Sequence, residues 1–144
     1  MVTSGCGVTI RPLQIMENKP ITPALHQLLD YGLGAAQMLA PKRLGANSKA
    51  VKLYQIAGVA FLGVNVLTDA PYGLKRLLPM RVHQAADTGF LIAMGAATFL
   101  PAIRKDDRTR RFHLGFLALA LTNYFLSDYA NTKDPEALPM PSIH

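Results

Sequence analysis

Four stretches of the chain, 24–41, 53–69, 84–103 and 112–127, hold no Lys, Arg or Glu. Apolar residues run through them without the charged face that a helix on a soluble surface keeps. Each is about 16–20 residues long, at the short end of what crosses a bilayer core as a helix. The pattern predicts an all-α integral membrane four-helix bundle. Thr22-Pro23 supplies a cap and a first-turn proline for helix 1, which should run to about Ala40 and stop at Pro41. Asn47 or Ser48 should cap helix 2, which continues to about Asp69 before Pro71-Tyr72-Gly73 breaks it. Pro79 should open helix 3, ending near Pro101, and Asp106 or Asp107 should cap helix 4, running to about Tyr129. Leu74-Lys75-Arg76-Leu77-Leu78 is amphipathic and too short to span, as an interfacial segment would be.

The polar positions recur. His26, Gln27, Asp30, Gly32, Ala36 and Ala40 match His83, Gln84, Asp87, Gly89, Ala93 and Ala97, each at the same separation. Pro41 and Pro101 follow the two blocks, and Leu67-Thr68-Asp69 is echoed by Leu126-Ser127-Asp128. A repeat of this kind predicts two tandem helical hairpins. Two crossings per hairpin return the chain to its starting side, so the hairpins should be related by a pseudo-twofold axis along the membrane normal. The chain then divides into an N-terminal extension (1–22), a first hairpin (23–70), an interfacial connector (71–82), a second hairpin (83–130) and a Pro-rich tail (131–144).

Composition agrees with this picture: half of the residues are apolar, 17% are charged, and mean hydropathy is +0.18. The net charge of +6 raises the question of nucleic acid. The basic residues sit in short loops, with no basic helix face and no aromatic stacking series, so nucleic acid is rejected as a partner. Lys42, Arg43, Lys49 and Lys52 in one loop, with Arg104, Lys105, Arg108, Arg110 and Arg111 in the other, outnumber the basic residues of the opposite side. The positive-inside rule makes these loops cytoplasmic and puts both termini on the non-cytoplasmic side. Cys6 is the single cysteine, which excludes an internal disulfide and a cysteine metal cluster. Residues 1–22 lack the apolar core of a signal peptide, and Met16 begins a stretch that reads as an ordinary protein start.

On this topology His26, Asp30, Asp69, His83, Asp87 and Asp128 fall near one membrane surface. A His and an Asp four apart share a helix face and can touch. Charged groups in hydrocarbon face the bundle and pair, so the leading expectation is a structural polar cluster in which each His bonds its neighbouring Asp or the Asp ending the adjacent helix. Three sharper readings stay open: axial ligation of a haem or other tetrapyrrole by His26 and His83, a quinone site, and proton carriage by Asp30 and Asp87. The His–Asp spacing alone is no metal signature, and no metal is assigned. Gly32-Ala36-Ala40 and Gly89-Ala93-Ala97 are small-xxx-small series, expected to pack helix 1 against helix 3 or against another subunit; Gly58 and Gly63 could receive a neighbour likewise. His113 is expected at the interface, and Asn65 and Asn123 are expected to bond across helices. No nucleophile stands at a recognisable spacing from a base, and there is no phosphate loop and no CxxC, so no catalytic residue is assigned.

His26-x-x-x-Asp30-Tyr31, Leu67-Thr68-Asp69, Gly73-Leu74-x-Arg76-Leu77-x-Pro79-Met80-x-Val82-His83 and Asp87 together resemble the SPW-repeat family of small bacterial four-helix membrane proteins. The likeness covers about residues 24–130. The Ser-Pro-Trp tripeptide is absent: Ala40-Pro41-Lys42 and Leu100-Pro101-Ala102 stand at the two sites, and the chain has no Trp. The resemblance implies a bacterial inner-membrane location and no particular reaction. The resulting expectation is a non-enzymatic accessory subunit docking on a larger membrane assembly, with membrane lipids and other membrane-protein subunits as partners. The alternatives are a haem-, pigment- or quinone-binding redox protein and a small proton-coupled transporter.

Overall fold

A computed structural model describes residues 19–130. The extension before Lys19, with Cys6 and Met16, and the Pro-rich tail 131–144 lie outside the described residues. The chain is all-helical there: α1 Pro23–Arg43, α2 Ser48–Leu67, α3 Met80–Ala97, the short α4 Pro101–Arg104 and α5 Asp107–Leu126. Local chemistry explains the starts. Thr22 accepts from the Leu25 amide, Asn47 from the Lys49 amide and Asp106 from the Thr109 amide, each satisfying a donor that the first helical turn leaves free.

The two prolines, expected to act alike, do different things. α1 runs through Pro41 to Arg43. Pro41 sits in the last turn, where Leu44 N still reaches Ala40 O at 2.9 Å and Ala46 N reaches Pro41 O at 2.9 Å. Gly45 then takes a positive φ of 69° and turns the chain out of the helix. At the second site α3 ends earlier than expected, at Ala97, and Pro101 opens a new helix after Leu100 is held extended (ψ 135°). Residues 74–78 form no helix; Leu74 N bonds Val66 O, and Leu77 N and Leu78 N bond Leu67 O. Gly73 makes this turn possible, because a Cβ there would collide with the Thr68 carbonyl oxygen.

Two short backbone ties bind helix ends to helix starts. Leu78 N donates to Leu67 O (2.8 Å) and Asp69 N to Leu78 O (2.7 Å). Ile21 N donates to Leu126 O (3.1 Å) and Asp128 N to Ile21 O (2.9 Å). The segments entering α1 and α3 are thereby fixed beside the ends of α5 and α2.

The small-residue stripes do not join α1 to α3. Gly32, Ala36, Gly89 and Ala93 are exposed, and a Cβ on Gly32, Gly63 or Gly89 would meet nothing within 4 Å. The reason is helical phase. His26, Asp30, Gly34 and Gln37 form the buried face of α1, and a residue two beyond Asp30 is rotated about 200° away from it. Close approach uses other glycines: a Cβ on Gly34 would strike the Leu62 side chain, and one on Gly58 would lie 2.6 Å from Met38 Cγ and 3.4 Å from Gly34 O. Of Gly89, Ala93 and Ala97 only Ala97 is buried, in a small apolar core with Ala50, Tyr54, Met94 and Ile103.

Burial departs from that of a soluble domain, with as much polar as apolar side chain inside. His26, Gln27, Asp30, Gln37, Asn65 and His83 are almost wholly buried, while Ile56, Val59, Ile92, Phe99, Leu119 and Phe125 are at least 60% exposed. Among the described residues only α2 is long and apolar enough to cross a membrane by length and composition; its mean hydropathy is 1.5, and 28% of its most apolar window is buried. α1 and α3 fall short because of the polar residues they carry inward, and α5 because its first turns hold Asp107, Arg108, Arg110 and Arg111.

Candidate functional site

The inward polar residues of α1 and α3 meet. His26 and Asp30 are one turn apart on α1, and His83 and Asp87 one turn apart on α3, so each pair projects from one face of its helix. The two faces oppose each other at one end of the bundle. His26 Nε2 lies 3.1 Å from Asp30 Oδ2 and 3.2 Å from Asp87 Oδ2; His83 Nε2 lies 3.2 Å from Asp30 Oδ2 and 3.3 Å from Asp87 Oδ2. The two imidazole Nε2 atoms are themselves 3.2 Å apart. All four side chains are buried.

The other imidazole nitrogens settle which atoms face inward chemically. Thr68 Oγ1 donates its only proton to Val64 O at 2.7 Å, so at 2.8 Å from His83 Nδ1 it must accept. Ser127 Oγ does the same: it donates to Asn123 O and accepts from His26 Nδ1 at 2.8 Å. Both Nδ1 atoms therefore carry hydrogen. In the neutral imidazoles both Nε2 atoms then present lone pairs to the centre.

The carboxylates are held from outside. Asn123 Nδ2 donates to Asp30 Oδ1 at 2.7 Å and Asn65 Nδ2 to Asp30 Oδ2 at 3.4 Å. Tyr129 donates to Asp87 Oδ2 at 3.0 Å and sets its ring edge-on to His26, centroids 4.8 Å apart. Burial and the neighbouring Asp87 charge push the Tyr129 phenol far above its usual range, which keeps it a donor. Asp87 Oδ1 is buried without a hydrogen-bond partner. A cavity of about 10 Å³, lined among others by His26, Asp30, Asp87, Phe61, Phe90 and Tyr129, is the space left beside the group. Ser127 and Tyr129 also line an open surface basin of about 640 Å³.

Of the six polar residues expected to converge, four do. Asp69 is exposed, and Asp128 turns its Oδ1 to the Ala130 amide. The hydroxyl residue one position earlier, Thr68 or Ser127, takes the expected place against the imidazole. Both are helix C-caps with extended ψ (137° and 135°), and that step swings the following Asp out of the bundle. Asn65 and Asn123 bond across helices and both reach Asp30. Tyr129 was not anticipated; nothing in its sequence context marks it.

A second buried polar group occupies the opposite end. His113, expected at an interface, is fully buried. Its Nε2 donates to Met94 O at 3.0 Å, so its Nδ1 accepts from the Tyr54 hydroxyl at 2.8 Å.

Among the described residues, His26, Asp30, His83 and Asp87 are the one group whose donor atoms lie close enough together, within 4.8 Å, to hold a metal ion. Comparison with known proteins adds no relative: no family model, curated protein or solved structure matches the chain.

Proposed function

We propose that the chain is a small polytopic membrane protein in which α1 with α2, and α3 with α5, form two tandem hairpins related by a pseudo-twofold axis, and that it serves as a non-catalytic accessory subunit of a larger membrane assembly. The burial pattern carries this reading. Many large aliphatic and aromatic side chains face outward, while the interior holds His, Asp, Asn and Gln beside a small apolar core. Water would penalise such a surface, and lipid would not. The paired contacts favour the twofold relation: Thr68 does for His83 what Ser127 does for His26, and the two backbone ties match bond for bond.

The outward stripes supply the docking element. Gly32 and Ala36 on α1, and Gly89 and Ala93 on α3, lie flat on the exposed face, where a neighbouring helix can approach closely. The resemblance to SPW-repeat proteins and the loop charges favour a bacterial inner membrane with residues 42–52 and 104–111 in the cytoplasm. The groove of about 290 Å³ lined by Ala57, Ala60, Phe61, Val64, Ala86 and Phe90, with Asp87 at its polar edge, suits a bound acyl chain.

Axial ligation of a tetrapyrrole fits poorly. Ligand pockets run to about 300–1,000 Å³, and a tetrapyrrole between His26 and His83 would have to force apart imidazoles that already lie 3.2 Å from each other.

Mild-detergent purification tests the subunit reading. The wild type should migrate with other membrane proteins, and Gly32→Leu with Gly89→Leu should release it while the helices stay intact. A protein that resists carbonate extraction but runs alone as a monomer or homodimer overturns the subunit reading; one found in the soluble fraction overturns the membrane reading.

A further inference from the structure

We infer that His26, Asp30, His83 and Asp87 form a closed, tetrahedral site for one divalent transition-metal ion of the zinc class. Five of the six edges joining the four donor atoms lie between 3.1 and 3.3 Å, and the sixth, between the two carboxylates, lies within 4.8 Å. A regular tetrahedron of that edge places its centre about 2.0 Å from every corner, the length of zinc–imidazole and zinc–carboxylate bonds. Two neutral imidazoles and two carboxylates carry two negative charges, which a divalent cation cancels inside a low-dielectric interior.

Protons are the competing occupant. With both imidazoles protonated, the four groups would form an alternating ring of ion pairs. In such a ring like charges sit across the diagonal, so the Nε2–Nε2 distance should exceed the Nε2–Oδ2 sides. It does not: 3.2 Å falls among them. Five near-equal edges are what a shared central cation would give. The outer contacts are also those of a metal site. Each imidazole donates its Nδ1 hydrogen to a hydroxyl that is itself anchored on a backbone carbonyl, which fixes the tautomer with Nε2 free to ligate. Asp87 Oδ1, buried and without a hydrogen-bond partner, faces no such anchor and can swing to share the ion.

Because all four positions come from protein, the site is structural rather than catalytic. Its ligands come from α1 and α3, so the ion would clasp the two proposed hairpins across their interface. The inference uses the side-chain geometry alone and holds whether the bundle lies in lipid or in water.

The test is metal analysis of the full-length protein purified in detergent, stripped with a chelator and refilled with zinc or cobalt. We expect about one ion per chain and, with cobalt, the intense visible absorption of a tetrahedral site. His26→Gln with His83→Gln should abolish both signals, and Tyr54→Phe should keep them. Folded wild type that takes up no stoichiometric metal, or a double variant that binds as the wild type does, overturns the inference. If the double variant fails to fold, the wild type decides: chelation should lower its melting temperature and zinc restore it, and no shift overturns the site. Carbonate extraction of the same preparation reports the membrane reading separately.

Discussion

The bundle contains buried histidine at both ends, and the two ends solve the problem of burial differently. At the α2–α3–α5 end, His113 is complete: one nitrogen donates to Met94 O and the other accepts from Tyr54, beside an apolar core of Ala50, Tyr54, Met94, Ala97 and Ile103. Nothing further is needed there. At the other end His26 and His83 each spend one nitrogen on a single hydroxyl, while their remaining nitrogens, each within 3.3 Å of both carboxylates, converge on one point. The same residue type is a finished hydrogen-bonding element in one place and an open ligand set in the other. What separates them is the count of partners per nitrogen, not burial.

The largest expected effect breaks the open end. Asp30→Ala removes a carboxylate lying against both imidazoles and strands the Asn123 amide. A loss of about 3–5 kcal/mol is expected from thermal or denaturant unfolding in detergent. A cost below about 1 kcal/mol would place the cluster among weak, solvated ion pairs. Thr68→Val frees His83 Nδ1 without touching a donor atom of the centre. It should weaken zinc binding about 10–100-fold in a competition titration, with Ser127→Ala acting equivalently at His26. An unchanged affinity would show that the hydroxyls do not set the tautomer.

Tyr54→Phe sharpens the contrast from the closed end. It leaves His113 Nδ1 unpaired and should cost about 1–3 kcal/mol in stability. Metal content should not change; if it falls, the two ends are coupled. The smallest effect concerns Asp106. Hydrogen bonds from the Thr109 hydroxyl and amide hold its carboxyl below the ordinary range. A depressed folded-state pKa means its stabilising contribution is complete above the unfolded-state value and is lost as pH falls through the lowered one. Asp106→Asn should therefore remove a shallow acid-side decline in melting temperature measured across a pH series, and a parallel curve would contradict the cap.

Much of this is legible in the residues. The four apolar runs mark the four long helices, and Thr22, Asn47 and Asp106 mark their caps, because capping depends on local chemistry alone. His26, Asp30, His83 and Asp87 stand out because ionisable residues are rare in such runs. Their mutual approach is not legible. It depends on how α1 and α3 face each other, which spacing within one helix does not encode. The stripes mislead for want of one step: once His26 and Asp30 point inward, Gly32 must point outward. Asp69 and Asp128 attract attention ahead of Thr68 and Ser127 because they are charged and the hydroxyls are not. The usable signal is that both hydroxyls sit at the last helical turn, four residues after a carbonyl they can bond.

The two hydroxyl–imidazole bonds are equal in length but unequal in chain distance. Thr68 and His83 are 15 residues apart, whereas His26 and Ser127 are 101 apart. Closing the longer loop costs about 2 kcal/mol more in chain entropy. Thr68 should therefore find His83 early in folding, and Ser127 should reach His26 last. The α1–α5 seam is then the final contact made during assembly and the first to open when the bundle loosens. Two bonds alike in space are thus separated in time.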